Sequence, residues 1–197
     1  MSDSRVILIG GSAGALDALL AILPALPAQF AIPIVVVLHL APNPASLVPE
    51  LLERATSLHV LEIEDKQPLM RATIHVAPPN YHVLLERDGT LALSIDEPVH
   101  FSRPSIDVLF ESAAAFGRNI TAVLLSGANE DGAAGLRRIA DAGGLAFVQD
   151  PSTARHAVMP AAGVAELRGR GRVLPARQIA ECLAGLVGDN PLAEHAG

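Results

Sequence analysis

Short, uninterrupted apolar runs alternate along the chain with segments in which apolar residues recur every three or four positions. Residues 6–10 (VILIG) and 32–40 (IPIVVVLHL) are uninterrupted runs, and between them four leucines follow the helical spacing: Leu16, Leu19, Leu20 and Leu23. A strand inside a parallel sheet is buried on both faces, whereas a helix packed on that sheet is apolar along one face. The pattern therefore predicts a strand, a helix and a second strand in succession.

The same alternation returns in the second half of the chain. Residues 121–127 (TAVLLSG) and 145–150 (LAFVQD) are predicted strands. Their neighbours carry helical spacing together with residues that favour helix ends. The predicted helices are 46–55, with Ser46 as N-cap and Pro49 in the first turn; 105–117, with Ser105 as N-cap and Gly117 as stop; 133–144, ended by Gly143-Gly144; and 176–187.

The middle of the chain has a different pattern. Residues 58–65, 72–79 and 82–96 are short extended runs separated by turn residues. Asp88-Gly89 favours a two-residue hairpin turn within the last of these runs. We therefore expect an antiparallel insertion in this region.

Strands that alternate with helices imply an α/β fold, a doubly wound, mostly parallel sheet with helices on both faces and a small antiparallel hairpin insertion. The chain contains neither an internal repeat nor a linker. We expect one domain over residues 1–188 and a loose tail over residues 189–197.

Composition narrows the classes of function. The 197 residues include 14 Lys and Arg against 21 Asp and Glu, a formal net charge of −7, and only 3% aromatic residues. Nucleic-acid binding usually needs a basic face, so we expect no nucleic-acid partner. No apolar stretch approaches the roughly 18 residues of a membrane span, so we expect no membrane insertion. The single cysteine, Cys182, suits a reducing compartment, and we expect a cytoplasmic protein.

Three polar residues follow predicted strands at the edge where α/β proteins bind ligands. Ser12 follows the first strand, His39 ends the second, and Asp131 follows the strand at 121–127. Together they would supply a nucleophile, a base and a carboxylate that orients the base. Each also has a structural alternative, because Ser12 and Asp131 precede helices that they could cap, and His39 could be a packed histidine.

Other chemistries fit the sequence less well. The turn after the first strand has neither the lysine of a P-loop nor, counted from Gly10 or Gly11, a glycine at the third position of the dinucleotide fingerprint. No two of the seven histidines lie three or four residues apart on a predicted helix. We therefore expect no cofactor and no metal, and nucleotide binding stays a remote alternative.

Five segments in the same order carry a family resemblance. They are VILIGGSAGALDAL, VVLHLAPNPASL, IHVAPPNYHVLL, HFSRPSIDVLFESAA and the long segment that begins AVLLSGANEDGAAGL. On these motifs the chain resembles the catalytic domain of the chemotaxis receptor methylesterases, the CheB-type protein-glutamate methylesterases. Longer members usually carry an N-terminal phospho-receiver domain, whereas only five residues precede the first strand here, so we expect either a stand-alone member or a catalytic domain separated from its receiver domain.

The resemblance implies a Ser-His-Asp hydrolase in which Ser12 is the nucleophile, His39 the base and Asp131 the orienting carboxylate. It implies removal of methyl groups from glutamyl methyl esters on the cytoplasmic signalling helices of chemoreceptors, with release of methanol. Many members of the family also deamidate receptor glutamines. The implied partners are therefore methylated chemoreceptor helices.

The residues around the triad complete the prediction. The backbone amides of Ala13 and Ala128 are candidates for stabilising an oxyanion. Arg103, Asn129 and Met159 are candidates for the rim of the substrate site, although each could equally be a structural turn residue.

Two loops depart from the usual family pattern. Ser12-Ala13-Gly14-Ala15 stands where Ser-Thr-Gly-Gly is frequent, and Ser126-Gly127-Ala128-Asn129 stands where Thr-Gly-Met-Gly is frequent. These changes favour the alternative, a non-catalytic interaction domain of the same fold in a sensory signalling pathway.

Overall fold

A computed structural model describes residues 5–39 and 47–186, which contain ten strands and six α-helices. Three short 3₁₀ helices, Leu23–Ala25, Ala114–Asn119 and Pro151–Thr153, lie between them. The strands are β1 (Val6–Gly11), β2 (Ile34–Leu38), β3 (His59–Glu62), β4 (Gln67–Pro68), β5 (Thr73–Val76), β6 (His82–Leu85), β7 (Thr90–Ser94), β8 (Ile120–Leu124), β9 (Leu145–Gln149) and β10 (Arg172–Leu174). The helices are α1 (Ala15–Ile22), α2 (Val48–Glu53), α3 (Ile106–Ala113), α4 (Ala133–Asp141), α5 (Val158–Leu167) and α6 (Ala176–Gly185).

A seven-stranded sheet forms the centre of the fold, in the order β10-β9-β8-β1-β2-β5-β3, and all of its pairings are parallel. The chain passes from β1 to β2 on one side and later returns to β8 on the other side of β1. This change of direction is a topological switch point, where open α/β sheets bind ligands. The predicted fold class is confirmed.

Helices cover both faces of this sheet. One apolar cluster joins one face to α1, α2 and α6, through residues such as Leu19, Leu52 and Ile179. A second cluster joins the other face to α3, α4, α5 and the small sheet, through residues such as Phe110 and Leu136. The central strand β1 is buried along its whole length, because it is covered on both sides.

The predicted antiparallel insertion is smaller than expected. Residues 58–65 and 72–79 contain β3 and β5, which are parallel strands of the main sheet. Only β6, β7 and the two-residue β4 form a separate antiparallel sheet. Short extended runs look alike in sequence whether they join the central sheet or an insertion, so the assignment of the first two runs was wrong.

The hairpin turn between β6 and β7 is one residue longer than predicted. The Glu86 N–H donates to the Thr90 carbonyl at 2.9 Å, which leaves Arg87, Asp88 and Gly89 in the loop. Gly89 has a positive φ of 88°, as a three-residue loop that ends in a glycine requires. The predicted two-residue turn was therefore wrong.

The helix ends test the other predictions. Ser105 caps α3, since its hydroxyl accepts the Val108 N–H at 3.4 Å. The α-helix ends at Ala113, and Gly117 lies in the 3₁₀ turn that follows rather than at the end of the helix. Ser46 and residues 189–197 lie outside the described residues.

The sequence pattern did not predict α5, which has Pro160 and Gly163 inside it.

None of the described helices is both long and apolar enough to cross a membrane.

Candidate active site

Ser12 lies on the tight turn between β1 and α1. Its N–H donates to the Ser126 carbonyl at 2.9 Å, and its carbonyl accepts the Ala15 N–H at 3.0 Å. The N-cap position of α1 belongs to Gly14, whose φ is 79°, and the cap has no side-chain hydrogen bond. Within residues 5–39 and 47–186 the half-buried Ser12 hydroxyl has no hydrogen-bond partner. The structure therefore does not support a capping role for Ser12.

His39 follows β2 on the strand next to Ser12. The register pairs Gly11 with Leu38, and the His39 N–H donates to the Gly11 carbonyl at 3.1 Å. The imidazole Nε2 lies 2.7 Å from Asp131 Oδ2, and 11% of the side chain is exposed. His39 is thus paired with Asp131, the carboxylate predicted to orient it, and a small part of its side chain stays exposed.

Asp131 is fully buried between β8 and α4. Its oxygens accept four hydrogen bonds: from His39 Nε2 (2.7 Å), the Ile106 N–H (2.7 Å), the Ser105 hydroxyl (2.8 Å) and the Asp107 N–H (3.0 Å). The N-cap of α4 is Gly132, so Asp131 does not cap the helix that follows it. Instead its carboxylate accepts hydrogen bonds from free N–H groups at the start of α3, where the helix dipole favours a negative charge.

The hydrogen bonds of Asp131 determine its charge. Burial alone would raise the pKa of this carboxyl, but the hydrogen bonds from His39, Ile106, Asp107 and Ser105 outweigh burial and hold its pKa below the ordinary value. Asp131 is therefore ionised at neutral pH. An ionised acceptor at 2.7 Å places the imidazole proton on Nε2 and leaves the lone pair on Nδ1.

Ser102 is a neighbour of His39 that sequence reasoning missed. Its hydroxyl lies 3.3 Å from His39 Nδ1, the nitrogen with the free lone pair. Ser102 belongs to the segment HFSRPSIDVLFESAA, which links the end of the small sheet to α3. The motif drew attention to this segment, but only the tertiary structure shows that it passes over His39.

A second buried carboxylate, Asp107, lies beside Asp131. Its Oδ1 accepts the Gly135 N–H at 2.7 Å, and its Oδ2 lies 3.4 Å from His100 Nε2. Burial first, and then the nearby charge of Asp131, raise the pKa of Asp107. The two neighbouring carboxyls thus have pKa values shifted in opposite directions.

Ligand atoms of His100, Asp107 and Asp131 lie within 4.8 Å of one another, which is a spacing that metal sites share. The Asp131 oxygens, however, already accept four hydrogen bonds, and Asp107 Oδ1 accepts one more. These oxygens are committed to protein donors, so we assign no cation to this cluster.

The two candidate oxyanion amides lie on neighbouring turns. Ala13 and Ala128 are both exposed, and in the part of the chain that the structure describes neither N–H donates to a protein group. The Ser126 hydroxyl donates to the Ala13 carbonyl at 2.8 Å and so ties the two turns together. Both amides are free to donate to a ligand.

The three rim candidates lie in different environments. Arg103 shares a cleft of about 210 Å³ with His39, and its Nη1 donates to the Ile95 and Asp96 carbonyls. Asn129 is a turn residue, because its Oδ1 accepts the Asp131 N–H at 3.3 Å. Met159 has no exposed surface.

Met159 therefore does not belong to a substrate rim. It packs under Gly127, where a Cβ would lie 2.6 Å from the Met159 sulfur. Its contribution is to support the loop that carries Ala128.

Similarity to known proteins identifies the family. The family profile described as CheB methylesterase matches residues 7–183. The chain belongs to the CheB methylesterase family. The profile covers β1 to α6 and thus includes Ser12, His39 and Asp131.

Individual members of the family share much of the sequence. A protein of Leptospira interrogans is 46% identical over 178 residues, 90% of this chain and 92% of that protein, and it is provisionally named a protein-glutamate methylesterase/protein-glutamine glutaminase. The protein of that name from Symbiobacterium thermophilum is 35% identical over 186 residues, 94% of this chain but 51% of the relative. The chain therefore spans nearly all of one relative and about half of the other.

A solved structure agrees with the fold. The crystal structure of the Thermotoga maritima CheB methylesterase catalytic domain superimposes with a TM-score of 0.86 and 29% sequence identity. The match covers 93% of this chain and 98% of that domain. The whole described fold is thus similar to that of a methylesterase catalytic domain.

Proposed function

We propose that this chain is a serine hydrolase that removes methyl groups from glutamate side chains of chemoreceptor signalling helices and releases methanol. The observation that carries the proposal is the buried, hydrogen-bonded pair of Asp131 and His39, at the sheet edge where Ser12 follows the adjacent strand β1. Membership of the CheB methylesterase family supports a catalytic function over a non-catalytic interaction domain.

In the first step, Ser12 Oγ attacks the carbonyl carbon of the glutamyl methyl ester while His39 Nδ1 takes its proton. Ionised Asp131 holds the ring through Nε2 and stabilises the imidazolium that forms. The Ala13 and Ala128 amides are candidates to donate to the oxyanion of the tetrahedral intermediate. When the intermediate collapses, the C–O bond to the methoxy group breaks, and this group leaves as methanol with the proton from His39.

In the second step, water attacks the glutamyl ester of Ser12, and His39 again acts as the base. The proton then returns to Ser12 Oγ as the free glutamate is released. The proposed chemistry needs only this chain and water.

The Ser102 hydroxyl occupies the position at His39 that Ser12 needs in the first step. It lies at the His39 nitrogen that must accept the proton of Ser12. Catalytic hydrogen bonds are often loose before substrate binds. We therefore expect the substrate to displace the Ser102 hydroxyl as Ser12 approaches Nδ1.

The same acyl-enzyme would form from a glutamine side chain, with ammonia as the leaving group. We propose deamidation as a second activity, because relatives carry a name with both activities. The two activities would share Ser12, His39 and Asp131.

Methanol release from a methylated cytoplasmic fragment of a chemoreceptor tests the proposal. The wild-type chain should release methanol, and Ser12→Ala should not, although it folds normally by circular dichroism. Ser152→Ala is a matched control, since Ser152 also follows a strand of the main sheet but bonds to Asp150. No release by a folded wild-type protein, or release that survives Ser12→Ala, would contradict the proposal.

A further inference from the structure

The turn from Val99 to Ser102, hereafter the display turn, has an unusual backbone. The Ser102 N–H donates to the Val99 carbonyl at 2.8 Å, and the Val99 N–H donates to the Ser102 carbonyl at 3.2 Å. Between them, His100 has a φ of 49° and Phe101 a φ of 60°. A tight turn with two positive φ values normally carries asparagine or glycine, because a larger side chain is strained there.

Phe101 is also exposed to an unusual extent. Its relative exposure is 104%, so its ring contacts almost nothing else in the part of the chain that the structure describes. An exposed aromatic side chain in a strained backbone contributes neither packing nor local stability. Such a residue, when surrounding contacts hold it in place, indicates a function.

Contacts on both sides hold the display turn in place. His100 Nε2 lies 3.4 Å from Asp107 Oδ2, and the Ser102 hydroxyl lies 3.3 Å from His39 Nδ1. Just beyond the turn, the Arg103 carbonyl accepts the Asn80 N–H at 3.2 Å. The turn is therefore tied to α3 and to the proposed base.

Phe101 lies beside the proposed reaction centre. The cleft of about 210 Å³ that contains His39 is also lined by Phe101, Pro98 and Pro104. A side chain bound in this cleft would lie among Phe101, the two prolines and His39. The apolar wall is thus continuous with the proposed catalytic cleft.

We infer that Phe101 is the contact that binds a helix of the protein substrate, through an apolar side chain on the helical face that carries the esterified glutamate. This inference rests on the proposed function. Residues three or four positions apart lie about 5–6 Å from each other on one helical face, so a helix can present both groups together. An exposed aromatic ring on a turn whose backbone is tied down is well suited to such a contact, because the backbone loses little freedom on binding and a phenylalanine side chain has only two torsions to fix.

The test compares two readouts in Phe101→Ala and Phe101→Asn. The first is kcat/KM for methanol release from the methylated receptor fragment, and the second is the rate at which a small fluorophosphonate labels the protein. We expect both variants to lose at least about tenfold in kcat/KM, mainly through a higher KM, and to keep the wild-type labelling rate within about twofold. Phe101→Tyr should keep most of the activity on the fragment.

Stability gives a separate readout. Asparagine tolerates a positive φ, so Phe101→Asn should unfold at the same or a higher temperature than wild type. Leu145→Ala is the matched control, because Leu145 is an exposed apolar residue at the start of β9, on the opposite edge of the sheet. Leu145→Ala should change neither kcat/KM on the receptor fragment nor the rate of phosphonate labelling.

The outcomes separate this inference from the proposed function. If wild type releases methanol and both variants keep its kcat/KM, the role of Phe101 is refuted while the hydrolase stands. An equal loss of fragment turnover and of phosphonate labelling would also refute it, since that result places Phe101 in the support of the catalytic residues. If wild type releases no methanol, the proposed function itself fails.

Discussion

At the scale of single residues, the two nitrogens of His39 define the site. Nε2 contacts a buried carboxylate at 2.7 Å, and Nδ1 lies 3.3 Å from the Ser102 hydroxyl. Because Asp131 is ionised, the ring has one tautomer in which Nδ1 can accept a proton. A neutral histidine in this state is the base that an otherwise weak serine nucleophile requires.

The Asp131→Asn variant tests this dependence. The amide cannot stabilise the imidazolium, and it leaves at least one of its four former donors without an acceptor. We expect kcat for methanol release to fall by about 10⁴-fold and the free energy of unfolding to fall by about 1–3 kcal/mol. Steady-state kinetics and urea unfolding measure the two effects, and a variant with wild-type kcat would contradict the role of Asp131.

The opposite pKa shifts of Asp131 and Asp107 predict a pH dependence of stability. The pKa of Asp131 is lower in the folded protein, so its contribution is present above the unfolded pKa of about 3.9 and is lost as the pH falls towards the folded pKa. Urea unfolding should therefore show that the stability difference between wild type and Asp131→Asn shrinks as the pH falls below about 4.

For Asp107→Asn we expect the opposite pH dependence of the stability difference from wild type. The folded pKa of Asp107 is raised, so its contribution is present below the unfolded pKa and is lost as the pH rises through the folded pKa. Wild type should thus become less stable relative to Asp107→Asn as the pH rises. Parallel pH curves for the two variants would contradict the assigned charges.

At the scale of elements, the start of α3 assembles the site. Its first residues supply the Ser105 hydroxyl and the N–H groups of Ile106 and Asp107 to Asp131. The helix also packs against the end of β1, where a Cβ on Gly10 would overlap the Ile106 side chain. The absence of a side chain at Gly10 therefore lets α3 reach the strand that carries Ser12.

The Gly10→Ala variant tests this close approach. The added methyl group must push Ile106 and the start of α3 away from β1. We expect a loss of about 1–3 kcal/mol in the free energy of unfolding, together with a reduced kcat, because the donors to Asp131 move. Gly185→Ala is the matched control, since nothing lies within 4 Å of its added Cβ, and it should leave both quantities nearly unchanged. Equal effects of the two substitutions would contradict the account.

The sequence patterns predicted those elements whose signal is local. The apolar runs located β1, β2, β8 and β9, and the cap at Ser105 located the start of α3. The membership of β3 and β5 in the main sheet depends on pairing between distant segments, so it was missed. The helix α5 was missed because Pro160 and Gly163 lower helix propensity, which packing against the sheet overrides.

At the scale of the whole molecule, the sheet brings together residues that are far apart in sequence. Ser12, His39 and Asp131 follow β1, β2 and β8, which are neighbours in the sheet order. Strand ends were enough to predict this convergence, because parallel strands end at a common edge. The position of Ser102 and the three donors that the start of α3 supplies to Asp131 were beyond such reasoning, since both depend on how α3 and the display turn pack over that edge.

The identity of the nucleophile is the most direct test of the account, because Ser12 is the proposed nucleophile whereas the hydroxyl at His39 Nδ1 belongs to Ser102. A fluorophosphonate that loses fluoride to the attacking serine leaves a stable adduct, which peptide mass spectrometry locates. We predict an adduct on Ser12 in wild type and in Ser102→Ala, and no adduct in Ser12→Ala. An adduct on Ser102, or a folded wild-type protein that forms none, would contradict the account.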